Sequence, residues 1–158
     1  MTGYIILRNN TSGKQLKLRL VDNFDRDYSQ NVADLDFAEG SPNEVYLMAF
    51  SGQKANITLI SVLFDSSADL TLWGGGGGDS ILTKEQQETY LVGSDGDTSS
   101  ALWRPNSGDQ HQLIIDSNGD GVANRTYPCR INRIRFNEVA DRPLEIRATF
   151  DLMIGSPV

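Results

Sequence analysis

Apolar and polar side chains alternate here with a period of two residues, which predicts a mainly β protein: an antiparallel β-sandwich or barrel with one short α-helix and long loops. Three observations carry that prediction. Near the C-terminus, Leu144, Ile146, Ala148, Phe150 and Leu152 alternate with Glu145, Arg147, Thr149 and Asp151, the pattern of a strand with one buried face. Near the N-terminus, Leu16, Leu18 and Leu20 alternate with Gln15, Lys17 and Arg19. Evidence for helix is confined to one short segment, while stretches rich in Gly, Ser and Asp repeatedly interrupt the chain.

Taken in order, a first strand is expected at Tyr4 to Leu7 and a second at 15–20. Residues 22–44 carry seven acids and one Arg with few periodic apolar positions, so a long acidic loop is expected there. Strands follow at Val45 to Phe50 and at Ala55 to Phe64. In the latter, Ile57, Leu59 and Leu63 share one face and Ile60, Val62 and Phe64 the other. Apolar residues on both faces mark an interior strand. The five glycines at 74–78 read as a flexible tether. Thr83 followed by Gln86 fits a capping box and Gly93 fits a helix stop, so the helix is placed at 83–91. Residues 93–111 read as loop, and Gln112 to Ile115 as a short strand. A strand at 126–136 and one at 144–152 flank the link 137–143 and are expected to pair as an antiparallel hairpin.

At 158 residues the chain has the length of a single domain, 1–158, able to bury a core without staples. Cys129 is the only cysteine, so no intrachain disulfide forms. No apolar run approaches the roughly 20 residues that cross a bilayer, and no membrane insertion is expected. The first eight residues show neither a basic region nor a long apolar run, so a secretory signal is not expected and the sequons at Asn9, Asn10, Asn56 and Asn124 read as unused. A net charge of −7 opposes sequence-specific nucleic acid binding by phosphate neutralisation.

One motif points to a metal. Asp116-Ser117-Asn118-Gly119-Asp120-Gly121 matches the first half of a calcium loop, with Asp116, Asn118 and Asp120 as candidate ligands of a structural Ca²⁺. Tyr127 stands where the bidentate Glu of such a loop belongs. The same letters also build a tight turn, since Asn, Asp and Gly tolerate positive φ. The run Trp73 to Ser80 lacks the Lys-Ser/Thr of a phosphate loop. His111 lies near Asp109 without the context of a nucleophile, and Cys129 reads as a small core residue rather than a reactive thiol. No catalytic constellation is expected, and no cofactor is required.

Charge is unevenly distributed. Arg125, Arg130, Arg133, Arg135, Arg142 and Arg147 form a basic C-terminal region, opposite in sign to the acidic 22–44. Such a pair reads either as two solvated faces or as the halves of a head-to-tail contact between copies.

With these elements in order, the layout resembles the β-sandwich-plus-helix module of tail-tube and tail-hub (distal tail) proteins of tailed viruses and related contractile injection systems. The residues that carry the resemblance are the stretch Ser51 to Leu59, leading into a long buried strand, the helix at about 83–91, and the closing pair Arg130 to Phe136 and Pro143 to Leu152. The resemblance implies a non-enzymatic structural protein of the virion tail, made in the host cytoplasm. It implies assembly with copies of itself into a ring, a hexamer in that family, and contact with adjacent tail proteins. On that likeness 22–44 would be the element that touches the next ring. A different function class is a calcium-stabilised β-sandwich carbohydrate-binding module, with Trp73, Trp103 or Tyr90 as stacking platforms.

Overall fold

The computed structural model describes residues 3–18, 21–35, 46–94, 96–105, 107–138 and 145–155, with side chains described outside 21–24, 29–35 and 46–54. Seven strands and one helix occur in the order β1 (Tyr4–Asn9), β2 (Gln15–Leu18), β3 (Val21–Leu35), β4 (Tyr46–Phe64), α1 (Lys84–Val92), β5 (His111–Asp116), β6 (Arg125–Glu138) and β7 (Glu145–Ile154). They form one sheet in the order β2-β1-β5-β6-β7-β4-β3, antiparallel throughout. The fold is the mainly β, single-helix architecture that the alternation predicts.

The sheet curls rather than splitting into two layers, because β2 at one edge comes back against β4 near the other. The free edge of β2 is met by the chain leaving β4, where Lys17 N–H donates to the Leu70 carbonyl at 2.8 Å. Leu7, Leu16, Leu59, Leu113 and Phe150 fill the enclosed space, each with no exposed surface. Complete burial of such a side chain stabilises by about 1.5–3 kcal/mol. Cys129 is buried in this core, and burial pushes its thiol up to about 12, the environment of a packing residue.

The hairpin expected near the C-terminus is present, with Ile134 opposite Phe150 and Phe136 opposite Ala148. A β-bulge between Ile131 and Arg133 shifts the register. It explains why the inward residues of β6 change from odd numbers (Cys129, Ile131) to even ones (Ile134, Phe136) along a single strand. β4 is interior, as its two apolar faces require, lying between β7 and β3.

Helix α1 follows its sequence signature closely. The Thr83 side chain accepts from Gln86 N–H at 3.1 Å, and the Gln86 side chain accepts from Thr83 N–H at 2.9 Å. Its terminal carbonyls are also satisfied, Tyr90 O by Leu102 N–H and Leu91 O by Trp103 N–H. The buried Gln87 donates to the Phe64 carbonyl at 2.9 Å and ties the helix to the end of β4.

Three expectations are corrected. Residues 22–35, expected as the first part of an acidic loop, lie within β3, a 15-residue strand over Val21–Leu35. β3 is held by a backbone ladder to β4, and the four side chains described along it, Asp25, Arg26, Asp27 and Tyr28, are all exposed. Over 25–28 it therefore lacks the alternation that reveals other strands. The remainder of the expected loop, 36–44, and the link residues 139–144 lie outside the described residues. The two strands expected at 45–50 and 55–64 are one strand, β4, with a register irregularity where residues 51 and 52 have no counterpart on β3.

The third correction concerns the glycines 74–78, which are a folded turn and not a flexible tether. Trp73 and Gly76 exchange two backbone hydrogen bonds, at 3.0 and 3.1 Å. The Thr71 hydroxyl accepts from Gly78 N–H and Asp79 N–H, while the Asp69 carboxylate accepts from the backbone N–H groups of Thr71, Ser80 and Ile81. These bonds hold the Asp69 carboxyl below its usual range against the opposing effect of burial.

Candidate functional site

The two Gly-rich motifs of the sequence meet at one corner. Asp116 ends β5 with no exposed surface. One of its oxygens, Oδ1, accepts from Gly119 N–H at 2.8 Å and Asp120 N–H at 3.3 Å. The other, Oδ2, accepts from Gly121 N–H at 2.9 Å and from the Trp73 indole Nε1–H at 2.9 Å. Burial acts to raise its pKa, but the Trp73, Gly121, Gly119 and Asp120 donors outweigh it and hold the carboxyl at about 2. Of the other expected calcium ligands, Asn118 is exposed, and the exposed Asp120 accepts from Val122 N–H at 3.1 Å. Each Asp116 oxygen already accepts two N–H groups, so the carboxylate anchors an Asx-type turn built from the chain's own donors. Among the described residues no three His, Cys, Asp or Glu side chains are grouped to hold a metal.

A second polar cluster lies at the opposite end of β5. Arg104 pairs with Asp109 in bidentate fashion, Nε to Oδ2 at 2.8 Å and Nη2 to Oδ1 at 2.7 Å. The fully buried Asn9 donates to Asp109 Oδ2 and to the Leu102 carbonyl, and its own Oδ1 accepts from Thr11 and Ser12 N–H in the β1–β2 turn. His111 is 4% exposed and its Nε2 lies 3.1 Å from the Leu102 carbonyl. Since a carbonyl can only accept, Nε2 carries the proton. The Arg104 guanidinium holds the Asp109 carboxyl at about 2, against burial, with Asn9 adding to the effect. Burial lowers the His111 pKa and favours the neutral ring. Trp103, Arg104, Asp109, His111, Arg130 and Asn132 line a cleft of about 500 Å³ at this cluster.

These shifts set a pH dependence. Below an unfolded His value of about 6.5 the unfolded chain binds a proton that native His111 resists, so stability falls as pH drops through that point. Asp109 and Asp116, held at about 2, contribute stability that is complete above the unfolded value of about 4 and is lost as pH falls toward 2. Both effects have one sign. The melting temperature is expected to decline from pH 7 to pH 5 and more steeply from pH 4 to pH 2.5, as followed by circular dichroism. A flat profile from pH 7 to pH 3 would contradict the two carboxylate assignments.

The described residues of both charged regions lie on the outer surface of the sheet. Arg125, Arg130, Arg133 and Arg135 are exposed on β6, Arg147 is half-buried on β7, and Arg142 lies outside the described residues. Arg133 meets Asp151 at 3.3 Å in a largely exposed pair, a contact worth about 0–1 kcal/mol. Asp25 and Asp27 of β3 line a groove of about 500 Å³ with Asn56, Thr58 and Asp151.

Of the aromatic residues considered as sugar platforms, Tyr90 is buried, while Trp73 and Trp103 are half-buried. Tyr90 is 7% exposed, with its hydroxyl donating to Asp79 at 2.9 Å and accepting from Gln15 N–H at 3.1 Å, and burial followed by the Asp79 contact raises its pKa. Trp73 spends its indole N–H on Asp116, and Trp103 packs against the core. The Arg104–Asp109–Asn9 cluster is absent from the expectations drawn from sequence. Its members are scattered over positions 9 to 109, and only the β1–β5 pairing, which sets Asn9 opposite His111, brings them together.

No family model matches the chain, and no curated protein matches it. Among solved structures the chain is similar to one in the tail of an empty gene transfer agent (GTA) particle with C6 symmetry, at 13% identity, covering 97% of this chain and 91% of that one, with a TM-score of 0.48. It is also similar to a chain of the native gene transfer agent virion, at 9% identity, 96% and 91% coverage and a TM-score of 0.47. A chain of the anti-feeding prophage (AFP) baseplate is similar at 10% identity, 99% and 95% coverage and a TM-score of 0.45. No helix among the described residues is long and apolar enough to cross a membrane.

Proposed function

We propose that this chain is a non-enzymatic structural subunit that assembles with copies of itself into rings, forming the tail tube or the tube-to-baseplate hub of a tailed virus or related injection system. The observation that carries the proposal is the ribbon formed by β3 and β4. β4 pairs with β7 only from Asn56 onward, whereas it pairs with β3 back to Tyr46. Residues 28–35 and 46–55 thus form a two-stranded arm beyond the part of β4 that the rest of the sheet supports. A two-stranded ribbon is marginally stable alone in water, and an open edge strand is a template for pairing with another chain. Both liabilities are removed if the arm lies against a neighbouring copy. Within an assembly the arm would reach the adjacent ring, and the ring would carry six copies that also contact neighbouring tail proteins. Synthesis in the host cytoplasm and residence in the virion tail follow from that role.

The titratable groups support a structural role. Asp116 anchors a turn, Asp109 holds Arg104, Tyr90 braces the Asp79 loop and Cys129 packs in the core. Light scattering coupled to size-exclusion chromatography is expected to show a concentration-dependent oligomer that electron microscopy resolves as rings or tubes. A strictly monomeric protein at every concentration and salt level would sink the proposal. The calcium-stabilised alternative has its own measurement. Because the chain's own N–H groups hold Asp116, equal melting temperatures are expected in millimolar Ca²⁺ and in chelator; a rise with Ca²⁺ would restore a cation at Asp116, Asn118 and Asp120.

A further inference from the structure

We propose that the cleft between the 103–109 loop and the bulge of β6 is a carboxylate-docking site whose occupant is the acidic strand segment around Asp25 and Asp27 of a second copy. This rests on the self-assembly reading and assigns residues to the contact. Arg104 is prepared for such a role. Its bidentate bond to Asp109 uses Nε–H and one Nη2–H, so three of the five guanidinium N–H groups are not spent on that bond. Asp109 is itself fixed by Asn9, which has no exposed surface, so the guanidinium plane is set before any ligand arrives. Arg130, on the other side of the cleft, is exposed and makes no ion pair among the described residues. Asp109 cancels the charge of Arg104, and His111 donates its Nε2 proton to Leu102, so Arg130 leaves the cleft with one net positive charge. One net charge beside the Trp103 ring suits a side-chain carboxylate better than a phosphate dianion.

Backbone geometry supports the same assignment. The bulge at Ile131–Arg133 re-aims the side chains beside the cleft, a device concentrated at sheet positions that serve a site. On the occupant side, Asp25 and Asp27 are two residues apart on β3, so they project to one face at a spacing of roughly 7 Å. The strand therefore presents both carboxylates on one side, either of which can meet the single net charge of the cleft. The donor strand and the receiving cleft are built from different residues, the groove of Asp25 and Asp27 adjoining the cleft at Asn132, so every copy carries both halves of the contact.

The test uses the full chain and a synthetic peptide of residues 22–30. Nuclear magnetic resonance is expected to show the peptide shifting the Trp103 indole and His111 ring signals. Affinity should fall by at least about tenfold, equivalent to 1.4 kcal/mol, for the Arg130→Glu protein and for a peptide carrying Asp25→Asn and Asp27→Asn. In the assembly arm, Arg130→Glu chains are expected not to assemble alone but to assemble when mixed with Asp25→Arg/Asp27→Arg chains. If the wild-type chain assembles while the peptide leaves Trp103 unmoved, the docking assignment is wrong and the assembly reading stands. If the peptide binds in the cleft but the wild-type chain stays monomeric, the site stands and the ring falls. Inorganic phosphate shifting Trp103 where the peptide does not would also overturn the assignment.

Discussion

Asp116→Ala is expected to lower the melting temperature by roughly 6–12 °C. The carboxylate is buried and accepts four N–H groups, three from the turn that follows it and one from Trp73. Removing it strands several donors at once, each costing about 1–3 kcal/mol if it finds no other partner. Water will reach some of them, so a total near 3 kcal/mol is reasonable, and each kcal/mol moves the melting temperature of a chain this size by about 2–4 °C. Asp116→Asn keeps one acceptor oxygen but turns an NH₂ group toward two N–H donors, and its effect should be roughly half as large. Differential scanning calorimetry separates the variants. A shift below about 2 °C for alanine would mean that the turn holds without its carboxylate.

Gly77→Ala is expected to be comparably damaging, and Gly75→Ala much less so. Both glycines have positive φ, +114° and +85°. A Cβ on Gly77 would overlap the carbonyl of Thr71, a backbone group that cannot swing aside, whereas one on Gly75 meets nothing within 4 Å. Gly75→Ala therefore incurs only the left-handed backbone cost of about 1–2 kcal/mol. Gly77→Ala adds a steric clash and should cost about 3 kcal/mol or more. It would also loosen Thr71, which receives the Gly78 and Asp79 N–H groups. Equal and negligible effects at both positions, read from urea midpoints, would return the segment to a flexible tether.

These two sites show where sequence reasoning reached and where it stopped. The helix was legible because a capping box is local: Thr83, Gln86 and Gly93 need no knowledge of the rest of the chain. The closing hairpin was legible because alternation reports one buried face, and the burial of Cys129 followed from its apolar surroundings. β3 was not legible, since backbone pairing with β4 leaves its exposed Asp, Arg and Tyr side chains without a period. The Asp116 segment is compatible in sequence with two structures. The letters D-x-N-x-D-G suit a cation or an Asx turn alike, and the donor that completes the coordination of Asp116 is Trp73, 43 positions away.

By itself, then, the sequence determined the class of fold, the helix and its caps, the interior position of β4 and the uneven distribution of charge. Each of these depends on residues within a few positions of one another. Tertiary structure alone decided that the sheet curls until β2 meets β4, that five glycines form a fixed turn against Thr71, and that Asn9, Arg104, Asp109 and His111 share one cluster. The physical reason is the same in each case. A hydrogen bond or close contact between distant segments depends on strand order and register, and those are set by the collective packing of the core rather than by any local pattern.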